Sequence, residues 1–256
     1  MSAVLALDAV DFRYRGASEN ALSEVTLAVD DGVSLGIVGE SGSGKSTALS
    51  LLLGLARPTA GRVLFEGERL DSADRRRMRS FRRQVQVVFQ DPYSSLDPRQ
   101  RVDRIVAEPL VSLRVKRAGE ARDAVARALA AVDLEPDVAS RFPHEFSGGQ
   151  RQRIAIARAL VTGPRVLLAD EPVSALDVST RLGVIALLDR LKREHGLTIV
   201  MVSHDMSVIA AVCERTAVLK DGRLTETGAT RQVLDQPAHP YTAQLVAAVP
   251  RISGAV

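Results

Sequence analysis

The sequence predicts an α/β fold, a mostly parallel sheet with crossover helices, split by an all-helical insertion. Three observations predict it. The run GESGSGKST, Gly39 to Thr47, joins an apolar strand pattern to an apolar helix pattern. Short β-branched runs alternate with helical ones on both sides of the middle of the chain, and such alternation builds a parallel sheet. From Asp91 to Leu160 nothing reads as strand, and helical stretches such as RVDRIVAEPLVSL and GEARDAVARALAAV dominate.

Taken in order, the chain opens with strands. AVDFRYR alternates, which puts Phe12 and Tyr14 on one face of the first strand. VTLAV and VSLGIVGE then run apolar into glycine turns. GKSTALSLLLGLA reads as a helix ending near Pro58. GRVLFEGERL returns as a hairpin-like piece, and RQVQVVFQD as another apolar strand. After the helical middle, strands resume with RVLLADEP, GLTIVMVSH and RTAVLKDGRL, separated by helices.

The totals bound the function. A chain of 256 residues suits one large α/β domain or a core with an inserted subdomain. With 34 basic and 31 acidic residues the charge is too balanced to imply nucleic acid by itself. The longest uncharged apolar runs fall short of the roughly 18 residues of a membrane span. The start MSAVLALDAVDF lacks a basic n-region, so no secretory signal is expected. Cys213 is the sole cysteine, no Cys/His spacing suggests a metal site, and a reduced, cytosolic setting is the expectation.

GESGSGKST fits the phosphate-loop pattern G-x-x-x-x-G-K-[ST] in the strand–helix context that pattern requires. Its glycines Gly39, Gly42 and Gly44, with Ser41 and Ser43 between them, let backbone N–H groups cradle a phosphate. Lys45 reaches the outer phosphates, Ser46 offers a hydroxyl to Mg²⁺, and Thr47 follows on the helix. The strand VLLADEP ends in Asp170, a carboxylate at the carboxyl edge of the sheet, where open α/β sheets bind ligands. Asp170 would hold Mg²⁺ and Glu171 would polarise a water, a role worth about 10²–10⁴-fold in rate. Gln90 and His204 each follow an apolar strand and reach the same edge. Tyr14 or Phe12 could stack on a base, or both could pack against the core. A second phosphate-seeking feature, SGGQ at Ser147, Gly148, Gly149 and Gln150, opens another helix; a plain Ser cap after a glycine turn is the structural alternative.

With GESGSGKST, Gln90, FSGGQ, VLLADEP, SALD (Ser174 to Asp177) and His204 in this order, nearly the whole chain resembles the ATP-binding subunits of ABC transporters. The resemblance implies a P-loop NTPase fold with an N-terminal antiparallel β subdomain and an inserted helical subdomain. The expected boundaries are 1–90 with 161–232 for the ATP-binding core, 91–160 for the helical subdomain and 233–256 for a C-terminal extension. It also implies ATP and Mg²⁺ as ligands and a second ATPase subunit, identical or paralogous, paired head to tail. Ser147 and the N–H groups of Gly148 and Gly149 would then meet the γ-phosphate held by the other subunit. By the same resemblance Tyr14 stacks on adenine, Gln90 joins the metal site to the helical insertion, Asp177 crosses between subunits, and His204 senses the γ-phosphate. Phe146 stands where the family commonly has leucine, a conservative change.

FQDPYSSLDPR (Phe89 to Arg99) and HPYTAQLVAAVP (His239 to Pro250) resemble the peptide/nickel importer branch. That implies membrane permease partners, an extracytoplasmic solute-binding protein acting indirectly, and a peripheral place on the cytoplasmic face of the membrane. With one cysteine, the iron–sulfur cluster of some relatives is not expected, and the tail reads as shortened. The run DRRRMRSFRR, with Arg75, Arg76, Arg77, Arg79, Arg82 and Arg83, reads as a solvated helix face or as a contact for a membrane surface or membrane partner. Nucleic acid fits it less well, because only Phe81 offers a stacking platform. Two other classes remain: a non-transport ABC ATPase acting on nucleic acid or ribosomes, and a regulatory nucleotide-binding module without turnover.

Overall fold

The computed structural model describes residues 3–116 and 120–248. The chain divides into two compact units, Met1–Leu70 with Ile199–Val256, and Asp71–Thr198.

The first unit begins with β1 (Ala3–Phe12) and β2 (Leu22–Asp30), continues through β3 (Leu35–Val38) and α1 (Lys45–Leu52), and returns as β4 (Ala60–Phe65) and β5 (Glu68–Arg69). Strands β2, β1, β4 and β5 form an antiparallel sheet in that order. Leu5, Leu7 and Val10 of β1 are buried on its core face. The strand starts earlier than its alternating segment suggests and ends at Phe12, so Tyr14 is not on it. The chain turns there: Ala17 N–H donates to Tyr14 C=O at 3.0 Å, and Gly16 takes a positive φ of 85°. The Phe12 and Tyr14 rings still meet edge to face, 4.9 Å between centroids.

The second unit holds α2 (Arg75–Gln84), β6 (Val85–Val88), α3 (Pro92–Ser95), α4 (Val102–Ser112), α5 (Arg122–Ala131), α6 (Gly148–Leu160), β7 (Val166–Asp170) and α7 (Val178–His195). The helix expected from Gly119 begins on a residue outside the described ones. The arginine run is α2: Met78 and Phe81 face inward, and Arg75, Arg76, Arg79, Arg82 and Arg83 are exposed. Asp74 caps the helix by accepting from the Arg76 and Arg77 N–H groups at 3.0 and 2.9 Å. β6 runs parallel to β7, with Val85 opposite Val166 and Val88 opposite Ala169. Along α6 the run from Ile154 to Ala157 is buried, so packing rather than propensity holds this helix.

The chain then returns to the first unit with β8 (Thr198–Val202), α8 (Met206–Val212), β9 (Arg215–Lys220), β10 (Arg223–Ala229), α9 (Thr230–Asp235) and α10 (Pro240–Ala247). β3 lies between β8 and β9 and runs parallel to both, while β10 closes the row antiparallel to β9. Every residue of β3 and β8 is buried, as expected of parallel strands covered on both faces. Each fully buried Leu, Ile or Val there contributes about 1.5–3 kcal/mol. Gly36 in β3 has no side chain because Ile209 of α8 fills that space. The C-terminal pattern is α10 followed by Ala248; the remainder of the expected tail and of the 233–256 extension, from Val249 onward, lies outside the described residues. Among the described residues no helix is long and apolar enough to cross a membrane.

Candidate active site

In the first unit, the buried strand β3 delivers the chain into Gly39 to Thr47. Gly39, Gly42 and Gly44 take φ of 154°, 82° and 102°, values that side chains disfavour. Gly39 is further constrained by space, since an added Cβ would run into the Leu219 carbonyl and the Ser43 hydroxyl. Gly44 is the N-cap of α1 and has no side chain with which to cap the first turn. Lys45, buried despite its charge, donates through Nζ to the carbonyls of Gly39 and Glu40 at 2.7 and 2.6 Å. The loop thus turns carbonyls onto its own lysine. Ser46 is exposed, and Ser43 is tied by its carbonyl to Gly222 N–H at 3.1 Å. The Tyr14 hydroxyl meets Thr47 Oγ1 at 2.9 Å, which leaves the half-exposed ring beside the start of α1. His204 follows β8 and is exposed.

In the second unit, β7 ends at Asp170, and Glu171 follows in a left-handed conformation with φ of 42°. A non-glycine residue there costs about 1–2 kcal/mol. Such strain gathers at functional sites, where the surroundings hold it. Gln90 donates to the Glu171 carboxylate at 3.4 Å and to Ser174 Oγ at 3.3 Å, and Ser174 Oγ donates to the Glu171 carbonyl at 3.1 Å. Ser174 therefore belongs to the constellation. Its signal was present in SALD, yet only the aspartate carried a sequence argument. Asp170 and Gln90 open on a cleft of about 460 Å³ that Phe89, Asp91 and Arg158 also line.

The same unit carries the SGGQ turn. Ser147 Oγ accepts from Gln150 N–H at 3.3 Å and the Gln150 side chain accepts from Ser147 N–H at 3.0 Å, a reciprocal cap on α6. The two glycines differ. A Cβ on Gly148 would meet only Leu176, at an ordinary 3.6 Å, whereas one on Gly149 would overlap the Thr180 methyl of α7. Thr180 cannot swing aside freely, because its hydroxyl donates to Asp177 at 2.7 Å. Gly149→Ala is accordingly expected to cost about 1–3 kcal/mol and lower Tm by several degrees. Gly148→Ala should move it by no more than about 2 °C; equal Tm for the two variants in a calorimetric scan would refute this distinction.

Asp177 is the N-cap of α7, accepting from Thr180 N–H at 3.0 Å and from Ser179 Oγ at 2.7 Å. Hydrogen bonds from Thr180 and Ser179 hold its carboxyl well below the usual carboxylate range. Sequence reasoning also missed Tyr93 and Arg151. The guanidinium of Arg151 lies 3.9 Å from the Tyr93 ring centroid and donates to the Pro143 carbonyl at 2.7 Å, so it clamps the approach to α6.

The family model described as ABC transporter matches residues 22–174. The chain belongs to the ABC transporter family. Relatives of this ABC protein include the glutathione import ATP-binding protein GsiA of Salmonella paratyphi A, 47% identical over 231 residues. That match takes in 90% of this chain but only 37% of GsiA. The oligopeptide transport ATP-binding protein AppF of Bacillus subtilis is 43% identical over 93% of this chain and 73% of its own length. Among solved structures, cbiO1 from Clostridium perfringens, part of the ABC transporter complex cbiONQ, superposes with a TM-score of 0.81 at 28% identity, over 92% of each chain. The ATP-binding cassette MJ0796, dimeric and bound to ADP and Pi, gives 0.78 at 36% identity, over 89% of this chain and 99% of its own. The fold of this ABC protein is thus the α/β P-loop cassette that the motif order implies.

Proposed function

We propose that the chain is the ATP-hydrolysing subunit that energises an ABC importer, with di- or oligopeptides as cargo and nickel as the other cargo class of the same branch. The observation that carries hydrolysis is Glu171, a carboxylate kept in a strained backbone and hydrogen-bonded to Gln90. A binding module without turnover has no need of such a base. Peptide cargo is supported by the likeness to AppF and GsiA, whose names specify oligopeptide and glutathione transport.

In this scheme the loop residues Gly39, Ser41, Gly42, Ser43, Gly44 and Thr47 surround the phosphates, and Lys45 supplies a point charge to them. Tyr14 offers its ring to adenine. Among the described residues no group of three or more His, Cys, Asp or Glu could hold a metal ion. Ser46, Asp170 and Gln90 offer a hydroxyl, a carboxylate and an amide oxygen, and Mg²⁺ is commonly bound by one or two protein oxygens with the rest from phosphates and water. Ser46, Asp170 and Gln90 are the residues that would hold it, and the ion would neutralise charge on the phosphates. Glu171 orients the attacking water and takes up its proton, and His204 contacts the γ-phosphate. Ser147, Gly148, Gly149 and Gln150 present a helix N-terminus to the nucleotide of a second ATPase subunit, with Asp177 alongside. The stretch 91–160 transmits the motion to permease subunits at the cytoplasmic face of the membrane.

Purified chain is expected to hydrolyse ATP only with Mg²⁺, at a specific activity that falls on dilution as paired subunits separate. Permease subunits and peptide-loaded binding protein, reconstituted in vesicles, should stimulate it. Stimulation by Ni²⁺-loaded binding protein instead would move the cargo to nickel. Salt-sensitive retention of DNA or RNA, with no response to permease, would overturn transport in favour of a nucleic-acid ATPase.

A further inference from the structure

The phosphate loop is held from a direction that its motif does not encode. Tyr241, on the first turn of α10, is buried, and its hydroxyl accepts from Glu40 N–H at 2.9 Å. That N–H belongs to the same peptide unit as the Gly39 carbonyl, which accepts from Lys45 Nζ at 2.7 Å. A trans peptide points its N–H and C=O in opposite directions. The 39–40 peptide is therefore clamped on one side by the tyrosine and on the other by the lysine.

The tyrosine is itself fixed from several sides. Lys220 Nζ lies 4.8 Å from its ring centroid, one residue past Leu219, whose carbonyl bars any side chain at Gly39. The Glu226 carboxylate accepts from Ala238 N–H at 2.9 Å and His239 N–H at 3.0 Å, anchoring the start of α10. His239 Nδ1 then caps the helix by accepting from Tyr241 N–H at 3.1 Å. The C-terminal helix is thus bolted to β10 and reaches the loop with one hydroxyl.

We propose that Tyr241 is a positioning residue for the phosphate loop: by fixing the plane of the 39–40 peptide it sets where Lys45 is held, and so lets the C-terminal helix tune nucleotide affinity. The inference rests on the nucleotide reading above. Without the hydroxyl the peptide can rotate, the lysine samples other partners, and binding must first restore the competent loop. Apparent affinity falls by the fraction of time the loop is competent.

The test is Tyr241→Phe, which removes one oxygen and keeps the ring over Lys220. The expected result is a weakening of Mg-ADP binding by about 2- to 10-fold, the range of one lost hydrogen bond. Tm should fall by no more than about 6 °C, the cost of the same bond in the folded chain. The Glu40 amide, followed by ¹⁵N–¹H NMR, should lose protection from hydrogen exchange while amides in β9 keep theirs. Tyr241→Leu, which also removes the ring, should weaken binding at least as much. A lower Tm with unchanged Mg-ADP affinity would reduce Tyr241 to a packing residue and overturn the inference. Unchanged Glu40 protection would overturn the clamp directly. Failure of the wild-type chain to bind Mg-ADP would overturn the nucleotide reading instead, and with it any tuning.

Discussion

Glu171→Gln is expected to cut ATP hydrolysis at least about 100-fold while leaving ATP binding in place, and so to trap a nucleotide-bound pair of subunits. The substitution keeps shape and hydrogen-bonding capacity but removes the basic oxygen, and a positioned general base is worth about 10²–10⁴-fold, or roughly 3–5 kcal/mol of barrier. Gln90 and Ser174 hold Glu171 through its carboxylate and its carbonyl. An amide oxygen can still accept from Gln90, so the site should keep its arrangement. Turnover by phosphate release and pairing by size-exclusion chromatography with ATP are the measurements. Near-normal turnover would remove Glu171 from the chemistry, and lost binding would mean that the residue serves folding.

Ser147→Arg should leave the nucleotide affinity of the isolated subunit unchanged within about twofold and abolish ATP-dependent pairing. The serine closes the cap on α6, and losing a cap costs about 0.5–2 kcal/mol. The helix should survive that loss because Ile154 and Ile156 are fully buried. On the proposed reading, the arginine would block the exposed helix start that is to meet the other subunit's phosphates. Ser147→Ala separates the effects, since it loses the cap without adding bulk and should pair more weakly but detectably. The assay is dimer formation in the Glu171→Gln background. If the Ser147→Arg monomer no longer binds nucleotide, its role in trans is wrong.

Much of this was legible because the chemistry is local. The glycines of the phosphate loop are required by the positive φ of Gly39, Gly42 and Gly44, a demand that short-range sterics place on residue type. Asp170 stands at a strand end because β7 runs apolar up to it. The reciprocal cap at Ser147 and Gln150 closes over three residues, so it too is written in order. Elsewhere local pattern misled or fell silent. Alternation carried Tyr14 onto β1, but the chain turns at Gly16 and places it past the strand. Both glycines of SGGQ read alike, and only the approach of Thr180 tells Gly149 from Gly148. Asp177 reads, by resemblance alone, as a residue that crosses between subunits, and what the folded chain displays is its place as the cap of α7.

The sequence by itself determined the class of the protein, the order of its strands and helices, and the glycine, lysine, carboxylate and capping residues that stand at its turns and strand ends. Those follow from backbone sterics and from side-chain chemistry within a few positions of each other. Only the tertiary structure decided that Glu171 sits strained against Gln90, that Thr180 dictates Gly149, and that Tyr241 holds Glu40 from 201 positions away. Such contacts depend on where long-range packing brings the chain back, and no periodicity within one segment encodes which distant side chain will arrive.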